Sequence, residues 1–69
     1  MENGLRKLRK INGLTQVRLA QKANVSRSVI ARYETGRTEL STKNLSKIAT
    51  ALECSMEEIV KGGQDGTAS

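Results

Sequence analysis

Residues 16–37, QVRLAQKANVSRSVIARYETGR, constrain the fold most strongly, because they predict two short helices joined by a three-residue bend. Thr15 and Ser26 each precede an apolar periodic run, and both are residue types that cap helix N-termini. Asn24, between the runs, tolerates the left-handed conformation that so short a bend requires. The inward positions are expected to be Leu19, Ala20, Ala23, Val25, Ile30 and Tyr33. Because Ala20 is small, the second helix can cross close to the first.

Three further helices are expected around this pair. One precedes the pair, covers about residues 2–11 and ends at Gly13. The pair itself covers about residues 16–22 and 26–34, and its second helix ends at Gly36. Ser41 or Thr42 caps a fourth helix, whose apolar stripe has helical spacing: Leu45, Ile48, Ala49 and Leu52. The fifth starts at Ser55, where Glu58 completes a capping box. Its inward side chains are expected to be Met56, Ile59 and Val60.

The chain is therefore expected to be all-α, with five short helices around one core and a helix-turn-helix within it. Residues 1–61 form the predicted domain, and residues 62–69, GGQDGTAS, form a predicted disordered tail because they contain no apolar anchor. No apolar run approaches the ~20 residues of a membrane span. A secretory signal is also missing, and the single cysteine, Cys54, suits a reducing compartment, so a cytoplasmic location is expected.

Charge is distributed unevenly along the chain. Residues 1–38 contain nine Lys or Arg residues and two Glu residues, a net charge of +7. Residues 39–69 contain three Lys residues and five acidic residues, a net charge of −2. This asymmetry predicts that the N-terminal half approaches a polyanion.

The third helix has the side chains expected of a DNA-reading surface. Opposite its inward residues lie Arg27, Ser28, Ala31 and Arg32. Arginine can donate two hydrogen bonds to guanine O6 and N7, and serine can contact base edges or phosphate. A solvated helix face is the alternative for isolated arginines. The preceding bend, the charge asymmetry and the small Ala31 favour base readout by Arg27, Ser28 and Arg32 instead.

Three other residues are predicted to contact phosphates. Gln16 begins the second helix, where its amide and the free N–H groups can hold a phosphate oxygen, although glutamine is also simply a good helix former. Arg37 follows the Gly36 turn. Lys43 lies in the first turn of the fourth helix, where its charge opposes the helix dipole unless an anion is near. Under this hypothesis, Gln16→Ala weakens binding to all DNA sequences alike.

Arg9 and Glu34 are expected to have a structural role. Both lie beside the apolar stripes of their helices, which predicts a partly buried ion pair between the first and third helices. Breaking such a pair by removing one partner can cost ~3–5 kcal/mol.

Residues 14–37, LTQVRLAQKANVSRSVIARYETGR, together with LSKIATALECSMEEIV, resemble the Cro/cI-type (XRE) regulators over about residues 5–60. The resemblance implies a lambda-repressor-like fold, with Gln16 at a phosphate-contacting position and Arg27, Ser28 and Arg32 at base-reading positions. It also implies an interhelical ion pair at Arg9 and Glu34. Asn24 and Glu53 replace glycines that are frequent in the family. Cys54 falls at a small apolar position and is expected to be core, with redox sensing or an intermolecular disulfide as the alternative.

The predicted function is sequence-specific binding of double-stranded DNA by a transcriptional regulator, with a repressor favoured. A homodimer on an inverted repeat is expected, because symmetric half-sites enlarge the small interface of one module. Its candidate dimer surface combines Leu52, Met56, Ile59 and Val60, and the alternative is that the monomer core uses all four. The alternative is a protein-interaction module, antitoxin-like or coactivator-like.

Other functional classes are disfavoured. LRKLRKI has too narrow an apolar stripe for a membrane-surface helix. An enzyme is not expected, because histidine is missing and the lone thiol has no base partner. We also expect no cofactor, metal or small-molecule substrate.

Overall fold

The computed structural model describes residues 4–61, in which five helices follow one another. They are α1 (Leu5–Ile11), α2 (Gln16–Ala23), α3 (Arg27–Glu34), α4 (Thr42–Leu52) and α5 (Met56–Lys61). Helix α2 packs against α3 and α4, while α1 packs against α3 and α5, and α5 also contacts α4. The predicted all-α, five-helix architecture is thus confirmed.

Helix α1 begins later than predicted. Gly4 lies before the helix, and its backbone N–H donates to the Ile59 carbonyl in α5 at 2.7 Å. Glycine is a poor helix former, and this contact ties its amide to another element. Residues 2 and 3, which the prediction included in the helix, and the predicted tail at 62–69 lie outside the described residues.

Serine or threonine caps the N-termini of α2 to α5, as the local sequence predicts. The hydroxyl oxygens of Thr15, Ser26 and Ser41 each accept a hydrogen bond from the backbone amide three residues later, at 3.1–3.2 Å. At α5, Ser55 Oγ accepts from the Glu58 amide at 3.1 Å, and Glu58 Oε1 accepts from the Ser55 amide at 2.9 Å. The predicted capping box is therefore present.

The first four helices all end in the same left-handed turn. The residues with positive φ are Gly13 (69°), Asn24 (61°), Gly36 (77°) and Glu53 (58°). After each of them, the next amide donates to the carbonyl five residues back, which is the Schellman arrangement. Three of those next residues, Leu14, Val25 and Cys54, are partly buried and pack against the core. The fourth, Arg37, is exposed.

The core collects apolar side chains from all five helices. Its buried members are Leu5, Leu19, Ala20, Ala23, Ile30, Tyr33, Ile48, Ala49, Ala51, Leu52 and Ile59. Within the described part of the chain, no helix combines the length and hydrophobicity that a bilayer span needs.

The inward orientation predicted for Met56 and Val60 is wrong. They are 40% and 50% exposed, respectively. Helix α5 has only six residues, and fully buried Ile59 occupies its inward position. Because Ile59 and Leu52 are core residues, they are unavailable for the predicted dimer surface.

Candidate nucleic-acid interface

Helix α3 separates a buried face from an exposed polar face. Ile30 is fully buried and Tyr33 is 8% exposed, so these side chains fix the helix on the core. The side chains on the other face are exposed: Arg27, Ser28 and Arg32. Half-buried Ala31 lies among them, and its short side chain does not protrude from that face. The predicted base-reading residues therefore share an accessible helix edge, and its main donors are two guanidinium groups.

A buried ion pair connects this helix to α1. Arg9 Nε donates to Glu34 Oε2 at 2.6 Å, and Arg9 Nη2 donates to Glu34 Oε1 at 3.1 Å. Arg9 is 8% exposed and Glu34 is 5% exposed. The remaining guanidinium nitrogen, Nη1, donates to the Leu14 carbonyl at 2.8 Å. The ion pair predicted between these residues is present, and it also holds the loop that leads into α2.

Gln16, the first residue of α2, links the ion pair to the exposed edge of α3. Its Nε2 donates to Glu34 Oε1 at 3.0 Å, and its Oε1 accepts a hydrogen bond from Arg27 Nη1 at 3.2 Å. Gln16 is half-buried, whereas Arg27 is exposed. The structure therefore joins a predicted phosphate-contacting residue directly to a predicted base-reading residue, a contact that sequence reasoning missed.

Arg32, Arg37 and Lys43 are exposed basic side chains on α3, on the loop after it and in the first turn of α4. Arg37 follows the left-handed Gly36, at the position where the other three turns place a side chain against the core. Its exposure makes this guanidinium available to solvent or to a ligand. Among the contacts within residues 4–61, the Gln16 side chain bonds to Glu34 and Arg27 and to none of these three basic side chains.

Because Glu34 is buried, the exposed charged side chains of residues 4–38 are all basic. Between residues 4 and 38, Glu34 is the single acidic residue, and Arg9 is its buried partner. The other charged side chains of that segment are exposed: Arg6, Lys7, Lys10, Arg18, Lys22, Arg27, Arg32 and Arg37. A surface of one sign attracts a polyanion and accelerates its encounter with the protein.

In the part of the chain that the structure describes, two side chains have raised pKa values. Burial, followed by the nearby charge of Glu39, raises the pKa of the Tyr33 phenol. Burial, followed by the charge of Glu58, raises the pKa of the Cys54 thiol. Cys54 packs against the core as expected, although it is only half-buried. Among residues 4–61, no group of three or more acidic, cysteine or histidine side chains could hold a metal ion.

Comparison with known proteins agrees with this geometry. A family model described as a helix-turn-helix matches residues 5–59. The immunity repressor protein of Bacillus phage phi105 is 43% identical over 56 residues. That match covers 81% of this chain but 39% of the repressor, so the chain spans well under half the length of this relative.

A solved structure also resembles this chain. The restriction-modification controller protein C.AhdI from Aeromonas hydrophila superposes with a TM-score of 0.75 at 38% sequence identity. The superposition covers 80% of this chain and 83% of the controller protein. Together with the family match over residues 5–59, these similarities show that the chain belongs to the Cro/cI-type (XRE) helix-turn-helix family.

Proposed function

We propose that this chain is a transcriptional regulator that binds double-stranded DNA in a sequence-specific manner and represses transcription. The observation that carries the proposal is the exposed edge of α3, which presents Arg27, Ser28 and Arg32 while Ile30 and Tyr33 anchor the opposite face. A helix held in this way can enter the major groove as a rigid element. The relatives, a phage immunity repressor and a restriction-modification controller, are consistent with this role.

Base readout is assigned to the two arginines and the serine of α3. An arginine that donates two hydrogen bonds to guanine discriminates against the wrong base by ~1–3 kcal/mol. We therefore expect guanines at the base pairs that face Arg27 and Arg32. Ser28 lies one residue after Arg27 on the same exposed edge and can contact a base edge or a phosphate.

Phosphate contacts are assigned to Gln16, Arg37 and Lys43. Gln16 Nε2 carries two hydrogens, of which the Glu34 contact uses one, so the second can serve a phosphate oxygen. Arg37 and Lys43 are exposed on the loop after α3 and on the first turn of α4. If a dimer neutralises ~6–8 phosphates, the slope of log affinity against log salt should be about −5 to −7.

Selection of bound duplexes from a random pool tests this proposal. The wild-type protein should enrich one motif, and Arg27→Ala or Arg32→Ala should each relax it at a different base pair. Lys43→Ala is the matched control, because loss of a phosphate contact lowers affinity without changing the motif. Enrichment of no motif by the wild-type protein would refute the proposal.

We further propose that the regulator acts as a homodimer through the exposed side of α5. Met56 and Val60 are 40% and 50% exposed, and their i, i+4 spacing places them on one side of the helix. The Glu57–Lys61 ion pair on the same helix, at 3.2 Å, supplies a polar rim. This part of the chain also lacks the strong positive charge that would make two copies repel. The two copies would place their α3 helices on an inverted repeat.

Sedimentation equilibrium of Val60→Lys tests the dimer. The substitution should produce a monomer that keeps the wild-type circular dichroism, because Val60 is exposed in the folded chain. Ile11→Lys is the control, since Ile11 is a 69% exposed apolar residue on α1. An unchanged dimer in Val60→Lys would exclude this surface, and a monomeric wild-type protein would exclude the dimer.

A further inference from the structure

We propose that Glu34 is a positioning residue for base readout, acting through Gln16 on Arg27. The inference rests on the proposed function. It assigns a second role to the buried ion pair, which would otherwise only join α1 to α3. Four side chains form one hydrogen-bond network that runs from the core to the exposed edge of α3: Arg9, Glu34, Gln16 and Arg27.

The Glu34 carboxylate determines the orientation of the Gln16 amide. Glu34 Oε1 accepts from Arg9 Nη2 at 3.1 Å and from Gln16 Nε2 at 3.0 Å, while Oε2 accepts from Arg9 Nε at 2.6 Å. An ionised carboxylate can only accept hydrogen bonds, so Gln16 must turn its NH₂ group towards it. Arg9 holds the carboxylate from the other side. The Gln16 carbonyl oxygen therefore points away from Glu34.

That carbonyl oxygen is the group that holds Arg27. It accepts a hydrogen bond from Arg27 Nη1 at 3.2 Å. A flipped Gln16 amide would place its own donors against the guanidinium and lose this contact. With Nη1 engaged, the Nε and Nη2 edge of Arg27 remains free for the two acceptors of a guanine.

The neutral amide also keeps the positive charge of Arg27 available. A direct contact with Glu34 would neutralise the guanidinium and make it a poorer partner for guanine or phosphate. Gln16 instead transmits the orientation set by Glu34 without supplying a counter-charge. A long, flexible arginine is thereby held in place before DNA binds, which lowers the cost of ordering it in the complex.

Affinities for single-base-pair variants of the selected duplex test the proposal. Gln16→Met keeps the side-chain length, removes both amide contacts and leaves the Arg9–Glu34 pair intact. Arg27→Ala identifies the base pair that Arg27 reads, because the motif relaxes there. Discrimination at that base pair should fall about tenfold in Gln16→Met, as expected when a bidentate contact is partly lost. Discrimination at the Arg32 base pair should be unchanged. Glu34→Gln, which lets the Gln16 amide flip, should lower discrimination at the same base pair, whereas Glu53→Gln at the exposed end of α4 should match the wild type.

The outcomes separate the two proposals. If Gln16→Met lowers affinity for every duplex by the same factor, Gln16 is only a phosphate contact and this inference is overturned, while the proposed function stands. A wild-type protein without base preference overturns both. In the Arg27→Ala background, Gln16→Met should leave the relative affinities for the single-base-pair variants unchanged. A further change in those relative affinities would also refute the inference. If Glu34→Gln does not fold, Gln16→Met decides the result.

Discussion

Replacement of Arg9 by methionine is the most informative single perturbation of the fold. The substitution keeps most of the apolar stem but removes three hydrogen bonds: two to the Glu34 carboxylate and one to the Leu14 carbonyl. Glu34, which is 5% exposed, would then remain buried with Gln16 as its partner. The cost therefore comes mainly from an uncompensated buried charge.

The expected loss is large relative to the total stability. Removal of one partner of a buried ion pair costs ~3–5 kcal/mol. A domain of this size is stabilised by about 3–10 kcal/mol, at roughly 0.05–0.15 kcal/mol per residue. Arg9→Met should therefore be marginally folded or unfolded at room temperature. The double variant Arg9→Met/Glu34→Leu should recover most of the loss, because it leaves no unpaired charge in the core.

Urea denaturation followed by far-ultraviolet circular dichroism measures these differences. Lys61→Met is the matched control, because it breaks the Glu57–Lys61 pair, whose side chains are 72% and 63% exposed. An exposed pair of this kind contributes ~0.3–0.5 kcal/mol. If Arg9→Met cost no more than Lys61→Met, or if the double variant were less stable than Arg9→Met, the reasoning about the buried pair would be wrong.

Three further predictions concern other parts of the chain. Glu53→Gly should raise the free energy of unfolding by about 0.5–1 kcal/mol, because Glu53 holds a φ of 58° that favours glycine, and a lower value in urea denaturation would contradict this. Tyr33 should form its phenolate above pH 10.0 in the folded protein, as followed by near-ultraviolet absorbance, because burial and Glu39 raise its pKa. The free energy of unfolding should then fall as the pH rises from the pKa of the phenol in the unfolded chain through its pKa in the folded protein, since the unfolded state releases the proton first. A titration midpoint at or below pH 10.0 in the folded protein would refute the shift. Lys43→Ala should reduce the magnitude of the log–log salt slope by about 1 per protomer, and an unchanged slope would show that Lys43 contacts no phosphate.

The helix boundaries could be predicted because their signals are local. Thr15, Ser26, Ser41 and Ser55 cap helices through contacts within three residues, and Gly13 supplies a left-handed turn by itself. The end of α4 had no such local signal, since glutamate disfavours positive φ. There the Schellman hydrogen bonds and the packing of Cys54 against the core accompany the left-handed conformation at Glu53.

The site was only partly predictable, because its contacts depend on how helices cross. The exposed edge of α3 follows from helical periodicity, and the Arg9–Glu34 pair could be inferred from the positions of both residues beside apolar stripes. The contacts of Gln16 with Glu34 and Arg27 span 18 and 11 residues, so no local pattern encodes them. Likewise, the exposure of Met56 could not be predicted, because α5 is apolar at more positions than the core can cover.

The central claim is that the exposed edge of α3 recognises bases. The most direct test is the ratio of dissociation constants for the selected duplex and a scrambled duplex, both measured at one moderate salt concentration. Specific recognition by this kind of protein predicts a ratio of at least ~10³ in favour of the selected duplex, reduced in Arg32→Ala. Equal affinities for the two duplexes would contradict the account, even if the five-helix fold were intact.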